Sequence, residues 1–225
     1  AYGAGVPLCA SQSVKSVDYV ETESLEFGAE LEMFRNQAGA THLYGKTYSS
    51  ETGAILGSNY WYNNNYYRQI FYTQFSSGVQ RTVVHGYSSS YGPEQNINWP
   101  GYEGMWGIFS ERFSKRQPNS IDYSDLNQHL TRIQKVLREG VPQMDLGILR
   151  TDYYWNCLEC FQGFSYGMDY ANNKFRQHRG IYWQDMTLQD AGYTYDYFSP
   201  VLLQDQDITC ENGLVQADGV GYQAL

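Results

Sequence analysis

The chain has 225 residues, enough for one large domain or two small ones with a real hydrophobic core. Aromatic residues make up 16% of it, which excludes a disordered chain because apolar and aromatic side chains offset the entropy lost on folding. The net charge of −9 argues against a nucleic-acid partner, which would need a basic surface. No stretch of about 18 apolar residues occurs, so the sequence predicts no membrane partner.

The first 86 residues predict alternating strands and helices. In chain order these are a strand at 17–20, a helix at 29–38 that ends at Gly39, a strand at 42–48, a helix at 65–77 and a strand at 79–86. This α/β alternation predicts a parallel sheet with both helices on one side, because crossovers between parallel strands are right-handed. Functional groups in such sheets lie at the carboxyl ends of the strands, so the loops that follow them are expected to share one rim.

The rest of the chain predicts fewer regular elements. A long loop at 87–120 is rich in Tyr, Ser, Gly, Asn and Trp, and loops of this length are usually functional. The elements predicted after it are a helix at 122–139 ended by Gly140 and Pro142, a strand at 143–149, a helix after 184, a strand at 193–197, a short apolar helix after Pro200, a turn-rich connection at 209–219 and a last strand at 222–225. Residues 152–180 show no clear periodicity.

Cysteine usage and composition bear on where the protein works. Of the four cysteines, Cys157 and Cys160 form a single Cys-x-x-Cys pair without the second pair or the histidines that zinc requires, so disulfides or plain thiols are expected. The acidic, Tyr-, Ser-, Gly- and Asn-rich composition fits a secreted protein, although no N-glycosylation sequon and no signal peptide occur. The chain begins at Ala1 and stops at Leu225 within an apolar segment, so both ends are interpreted as cuts through a longer polypeptide.

Acidic residues follow two neighbouring predicted strands. Glu51 lies between Ser50 and Thr52 after the second strand, and Glu21 and Glu23 follow the first strand. Barrel enzymes place catalytic carboxylates at such strand ends, and glycoside hydrolysis needs two facing carboxyls, one protonated and one ionised. Side-chain alternation sends Glu21 and Glu23 to the same face. Solvated loop acids would give the same pattern.

Further polar and aromatic side chains accompany these acids. His85 follows an apolar strand, where it fits either a contact to a sugar hydroxyl or carboxylate or a structural role. Trp99 and Trp106 in the long loop fit either a wall that stacks on sugar rings or packing of the loop onto the sheet. The 22 tyrosines likewise fit sugar stacking or the half-exposed positions of sheets and loops.

Several short motifs occur in a fixed order along residues 1–200. They are Glu21-Thr22-Glu23-Ser24-Leu25-x-Phe27-Gly28, Thr41-His42-Leu43-Tyr44-Gly45-Lys46, Ser49-Ser50-Glu51-Thr52-Gly53-Ala54, Val84-His85-Gly86-Tyr87-Ser88, Trp99-Pro100-Gly101, Phe109-Ser110-Glu111, Arg116-Gln117-Pro118, Gly140-Val141-Pro142-x-x-Asp145-Leu146 and Ala191-Gly192-Tyr193-x-Tyr195-Asp196-Tyr197-x-Ser199-Pro200. In this order the chain resembles large secreted fungal and bacterial glycoside hydrolases similar to the α-L-rhamnosidases of glycoside hydrolase family 106.

The resemblance implies a specific architecture and chemistry. It implies the second half of a (β/α)8 barrel over 1–141, followed by part of a flavodoxin- or Rossmann-like domain over 142–225. It places Glu51 at a catalytic position, with Glu21 and Glu23 facing the sugar from the preceding strand end. Family 106 enzymes invert configuration and use calcium near the sugar, so calcium is an expected cofactor whose ligands here are not assigned. Members are several times longer, so the remainder of a longer polypeptide is an expected partner and the isolated chain is not expected to hold the whole active site.

The sequence and the resemblance together predict a glycosidase that releases a terminal sugar, α-L-rhamnose by preference, from a polysaccharide or glycoside. Glu51 is the predicted base and Glu23 the predicted acid, although the two roles are interchangeable at this stage. The predicted substrate-binding residues are Glu21, His85, Tyr87, Ser88 and Trp99. Two alternatives remain, a galactosidase-like exo-glycosidase on the same scaffold and a non-catalytic carbohydrate-binding domain.

Overall fold

The structure is a computed structural model that describes residues 8–27, 31–56, 62–87, 109–110, 113, 115, 117–150, 154–155 and 187–225. The strands are β1 Leu8–Cys9, β2 Tyr19–Glu23, β3 Thr47–Thr52, β4 Ile55–Leu56, β5 Arg81–Val84, β6 Phe109–Ser110, β7 Leu146–Leu149, β8 Tyr154–Trp155, β9 Tyr195–Phe198, β10 Cys210–Glu211 and β11 Leu214–Val215. The α-helices are α1 Ala10–Ser13, α2 Ser24–Phe27, α3 Leu31–Leu43, α4 Asn64–Ser76, α5 Tyr123–Glu139 and α6 Thr187–Asp190. Short 3-10 helices cover Val14–Ser16, Pro118–Asp122 and Pro200–Gln204.

Three parallel strands form the sheet that carries the predicted acids. Their order is β2-β3-β5, and the register pairs Glu23 with Glu51 and Glu51 with Val83. Helices α3 and α4 cover one face, where the Tyr48 hydroxyl donates to the Phe34 carbonyl at 2.6 Å and Gln74 of α4 bonds to β3. The predicted parallel sheet with both helices on one side is therefore confirmed.

Several predicted boundaries in this region are wrong, and the corrections place the acids within strands. The first strand runs to Glu23, so Glu21 and Glu23 lie within β2 instead of in a loop after it. Gly39 does not end α3, which continues to Leu43, and β3 therefore begins at Thr47 and contains Glu51. A Cβ atom at Gly39 would lie 2.3 Å from the carbonyl oxygen of Tyr197, so glycine here allows close contact between the helix and β9.

A second small sheet follows α5. Strand β7 pairs in parallel with β9, and Leu146 also bridges in parallel to Ala224. The predicted strand at 143–149 is thus present over Leu146–Leu149 and is not paired with β5. Helix α5 spans the predicted range and ends at Gly140. The predicted turn-rich connection at 209–219 contains the antiparallel pair β10–β11.

The largest hydrophobic core contains residues from both sides of the predicted division at 141/142. It combines side chains of the first sheet and α3 with side chains of β9 and of the chain that follows it. Its most buried large members are Phe34, Leu43, Tyr48, Phe198 and Tyr222. The described part of the chain is a mixed α/β structure with small parallel sheets. The closed barrel and the two-domain division stay predictions.

The helices of this structure are short. Among the residues that the structure describes, no helix has the length and apolar character needed to cross a membrane. The longest described helix, α5, has 17 residues, and only Leu126 and Leu130 of it are fully buried.

Candidate active site

The first sheet has two chemically different faces. Because side chains alternate along a strand, Val20, Thr22, Tyr48, Ser50 and Thr52 point toward the helices, and all five are buried. We call this side the back face. The opposite side, the front face, carries Tyr19, Glu21, Glu23, Thr47, Ser49, Glu51, Arg81 and Val83. Three carboxylates thus share a face that neither α3 nor α4 covers.

Glu23 and Glu51 are direct neighbours on the front face. They are register partners in adjacent parallel strands, which lie about 4.8 Å apart, so both side chains leave the sheet on the same side. Each is at or next to the carboxyl end of its strand, β2 ending at Glu23 and β3 one residue after Glu51. Glu23 is only 6% exposed, whereas Glu51 is half-buried. The two acids are therefore neighbours on the same face, but Glu23 is more buried than Glu51.

Glu21 lies on the same face, two residues before Glu23 in β2. Its register partner in β3 is Ser49, and this pair lies about 6.6 Å along the strands from the pair of Glu23 and Glu51. The Ser49 hydroxyl lies 2.9 Å from the Glu21 carboxylate and 3.0 Å from the Val20 carbonyl. The hydroxyl of Ser49 therefore fixes the direction of the Glu21 carboxylate on the front face.

The chain beyond β3 and β5 shapes the edge of the front face. The backbone N–H of His85 donates to the Thr52 carbonyl at 2.8 Å, which continues the β3–β5 ladder one step and leaves the half-buried His85 beside Gly53. Gly53 has φ of +113°, and its N–H donates to the Ser24 hydroxyl at 3.1 Å. A Cβ atom at Gly53 would lie 2.6 Å from the Phe113 ring and 2.7 Å from the His85 carbonyl oxygen.

The remaining predicted substrate-binding residues are placed differently. Tyr87 is 76% exposed, two residues beyond His85. Ser88 and Trp99 lie outside the described residues. The structure thus brings Glu21, Glu23 and Glu51 together on one face, with His85 at its end.

Gln74 is a site-associated residue that sequence analysis did not single out. It is fully buried against the back face, accepts a hydrogen bond from the Thr52 hydroxyl at 2.9 Å and donates to the Ser50 hydroxyl at 3.1 Å. The available signal was an amide at a position of α4 whose spacing from Tyr67 and Ile70 is that of a buried helix face. A helix face of this kind is normally filled by apolar side chains.

A second buried polar cluster lies between α3 and β9, on the helix side of the sheet. Nδ1 of His42 lies 2.6 Å from an Asp196 carboxylate oxygen, and the Tyr222 hydroxyl donates to the same oxygen at 2.8 Å. Nearby, the Tyr195 hydroxyl donates to Glu32 at 3.1 Å, and burial together with the Glu32 charge raises the pKa of Tyr195 to about 12. These bonds tie α3 to β9 and belong to the packing of the core.

The resemblance leads us to expect calcium near the sugar-facing carboxylates. Within the described ranges, no group of three or more His, Cys, Asp or Glu side chains is arranged to hold a metal ion. Calcium stays an expectation of the resemblance.

Comparison with known proteins gives one structural likeness. No protein family matches the chain by sequence, and no curated protein matches it significantly. The structure is similar to that of a rhamnosidase from Novosphingobium sp. PP1Y, with a TM-score of 0.63 and 16% sequence identity over 95% of this chain. The chain spans 18% of that protein's length. At this identity the likeness shows the fold alone, a fold like that of part of a glycoside hydrolase.

Proposed function

We propose that this chain carries part of the active site of a glycoside hydrolase that releases a terminal sugar, α-L-rhamnose, by carboxylate acid–base catalysis. The observation that carries the proposal is the register pair of Glu23 and Glu51 on the front face of a parallel sheet. Glycoside hydrolysis requires two carboxyl groups around one bond, and this pair supplies them. The structural likeness to a rhamnosidase supports the choice of rhamnose.

Glu51 is proposed as the base and Glu23 as the acid. Glu23 is the more buried of the two and is the last residue of β2, and we assign it the proton for the leaving group. In the reaction, Glu51 takes a proton from water as the water oxygen bonds to the anomeric carbon. The bond from that carbon to the leaving oxygen breaks, and that oxygen receives the proton of Glu23.

The stereochemistry depends on how far these two carboxyl groups diverge. Inversion requires a separation of about 6.5–9.5 Å, whereas retention requires about 5–5.5 Å. Since the strands are only about 4.8 Å apart, an inverting reaction needs the two side chains to point away from each other above the sheet. We propose inversion, in agreement with the resemblance. The proton of Glu23 then remains separate from the water bound at Glu51.

The test separates an enzyme from a binding domain. The natural polypeptide that contains this chain is assayed for release of rhamnose from an aryl α-L-rhamnoside, and for rhamnose binding by calorimetry. The E51Q substitution should lower kcat by about 10²–10⁴-fold, the contribution of a general base, and leave binding within a few-fold. Substitution E139Q on the exposed surface of α5 is the matched control and should change neither quantity.

Two results would contradict the proposal. If the wild-type protein binds rhamnose but releases none from any aryl glycoside, a carbohydrate-binding domain is the better account. If it hydrolyses rhamnosides and E51Q retains wild-type kcat, the enzyme assignment stands and the front-face pair is not its active site. An aryl galactoside assayed in parallel identifies a galactosidase-like enzyme.

A further inference from the structure

One buried side chain forms hydrogen bonds, on the back face of the sheet, to both residues that flank Glu51. Ser50 and Thr52 flank Glu51 in β3, point to the back face and are fully buried. The Gln74 side chain bonds to both, accepting from the Thr52 hydroxyl at 2.9 Å and donating to the Ser50 hydroxyl at 3.1 Å. The amide therefore spans the segment from which the Glu51 side chain projects.

Gln74 is itself held at its other end. Its backbone carbonyl accepts hydrogen bonds from the N–H of Ser77 at 3.1 Å, the hydroxyl of Ser77 at 2.8 Å and the N–H of Val79 at 3.0 Å. These bonds form the turn that leads from α4 toward β5. Gln74 thus joins β3, through its side chain, to the turn that precedes β5, through its backbone carbonyl.

A buried amide is an unusual choice for this position if only packing matters. Tyr67, Ile70 and Phe71 are the apolar side chains on the buried side of α4, and an apolar side chain of similar size could fill the place of Gln74 without an amide to satisfy. Each end of this amide has a hydrogen-bond partner in β3, and buried polar networks of this kind impose one arrangement on the groups they connect.

We propose that Gln74 is a positioning residue for Glu51: by binding the hydroxyls of Ser50 and Thr52, it fixes the direction in which Glu51 projects toward Glu23. The proposal rests on the proposed glycosidase function. It adds a contribution from α4, on the opposite side of the sheet from the substrate. The carboxylate of a reacting pair needs a geometry held within about 0.5 Å, and the Gln74 hydrogen bonds hold the Glu51 segment in addition to its pairing with β2 and β5.

The test uses variants that remove the network without changing side-chain size much. Q74M and T52V in the natural polypeptide should each lower kcat for an aryl rhamnoside by about 10–100-fold, with KM within about twofold, since a misplacement near 1 Å costs about that much. T52S keeps the hydroxyl and should retain most of the wild-type kcat. Y48F is the matched control, because it removes a buried hydrogen bond from the same face of β3 and should lower stability without lowering kcat.

A crystal structure of Q74M provides a measurement that does not depend on activity. It should show the Glu51 carboxylate displaced relative to Glu23. If Q74M and T52V behave as Y48F does, with reduced stability, wild-type kcat and an unmoved Glu51, the positioning role is wrong while the glycosidase proposal stands. If the wild-type protein has no turnover, the glycosidase proposal fails, and the position of Glu51 in Q74M still decides whether Gln74 positions it. T52V serves alone if Q74M does not fold.

Discussion

Gly53 shows how a single residue can define the end of the candidate site. Its φ of +113° lies where L side chains are strained, and a Cβ there would meet both the Phe113 ring and the His85 carbonyl. It follows Thr52 directly, so its conformation sets how the chain leaves β3 beyond Glu51. Any side chain here would have to push away the segment that carries His85.

We therefore expect G53A to be strongly destabilising. Backbone strain costs about 1–2 kcal/mol, and overpacking against Phe113 and His85 adds about 1–3 kcal/mol. Urea unfolding of G53A and of G192A gives the comparison, because Gly192 also has a positive φ, of +84°, but has no atom within 4 Å of the added Cβ. Equal losses of unfolding free energy in the two variants would show that the close contacts at Gly53 do not matter.

At the residue scale, the sequence predicted the three acidic residues of the front face but not the buried residue proposed to position Glu51. Glu21, Glu23 and Glu51 could be found because charged residues at strand ends stand out in an otherwise weakly charged chain. Gln74 was harder to find, because its spacing from Tyr67 and Ile70 was the only signal and a polar residue on a helix is ordinarily exposed. The pairing of Glu23 with Glu51 also depends on register, which local sequence does not specify.

At the scale of elements, the sequence predicted the order of strands and helices better than their ends. A glycine after an amphipathic run usually marks the end of a helix, so Gly39 predicted a stop. The structure keeps it helical because the backbone of β9 lies against it, a contact between residues about 160 apart in sequence that no local pattern contains. Because of this error, the next strand was predicted to begin at 42, whereas it begins at Thr47.

The close contact at Gly39 gives a prediction for α3. G39A should lower the unfolding free energy by about 1–3 kcal/mol through overpacking, even though alanine is intrinsically the better helix former by about 1 kcal/mol. G140A, at the end of α5, is the matched control because a Cβ there meets no atom within 4 Å. Chemical denaturation of both variants measures the difference, and a G39A protein as stable as the wild type would show that α3 and β9 can separate at no cost.

At the scale of the whole molecule, the two small parallel sheets share one hydrophobic core. Phe34 and Tyr48 from the first sheet region contribute to it together with Phe198 and Tyr222 from the second. The fold is similar to part of a rhamnosidase structure, with a TM-score of 0.63 at 16% sequence identity. Fold at this distance does not establish activity, so the proposed function rests on the chemistry of the front face.

The central claim is that Glu23 and Glu51 act together on one glycosidic bond. A double-mutant cycle in the natural polypeptide tests it most directly, using kcat for an aryl α-L-rhamnoside in wild type, E23Q, E51Q and the double variant. Residues that act as a unit are strongly non-additive, so the double variant should lose about as much activity as the more damaging single variant. Losses that multiply in the double variant, or wild-type kcat in either single variant, would contradict the account.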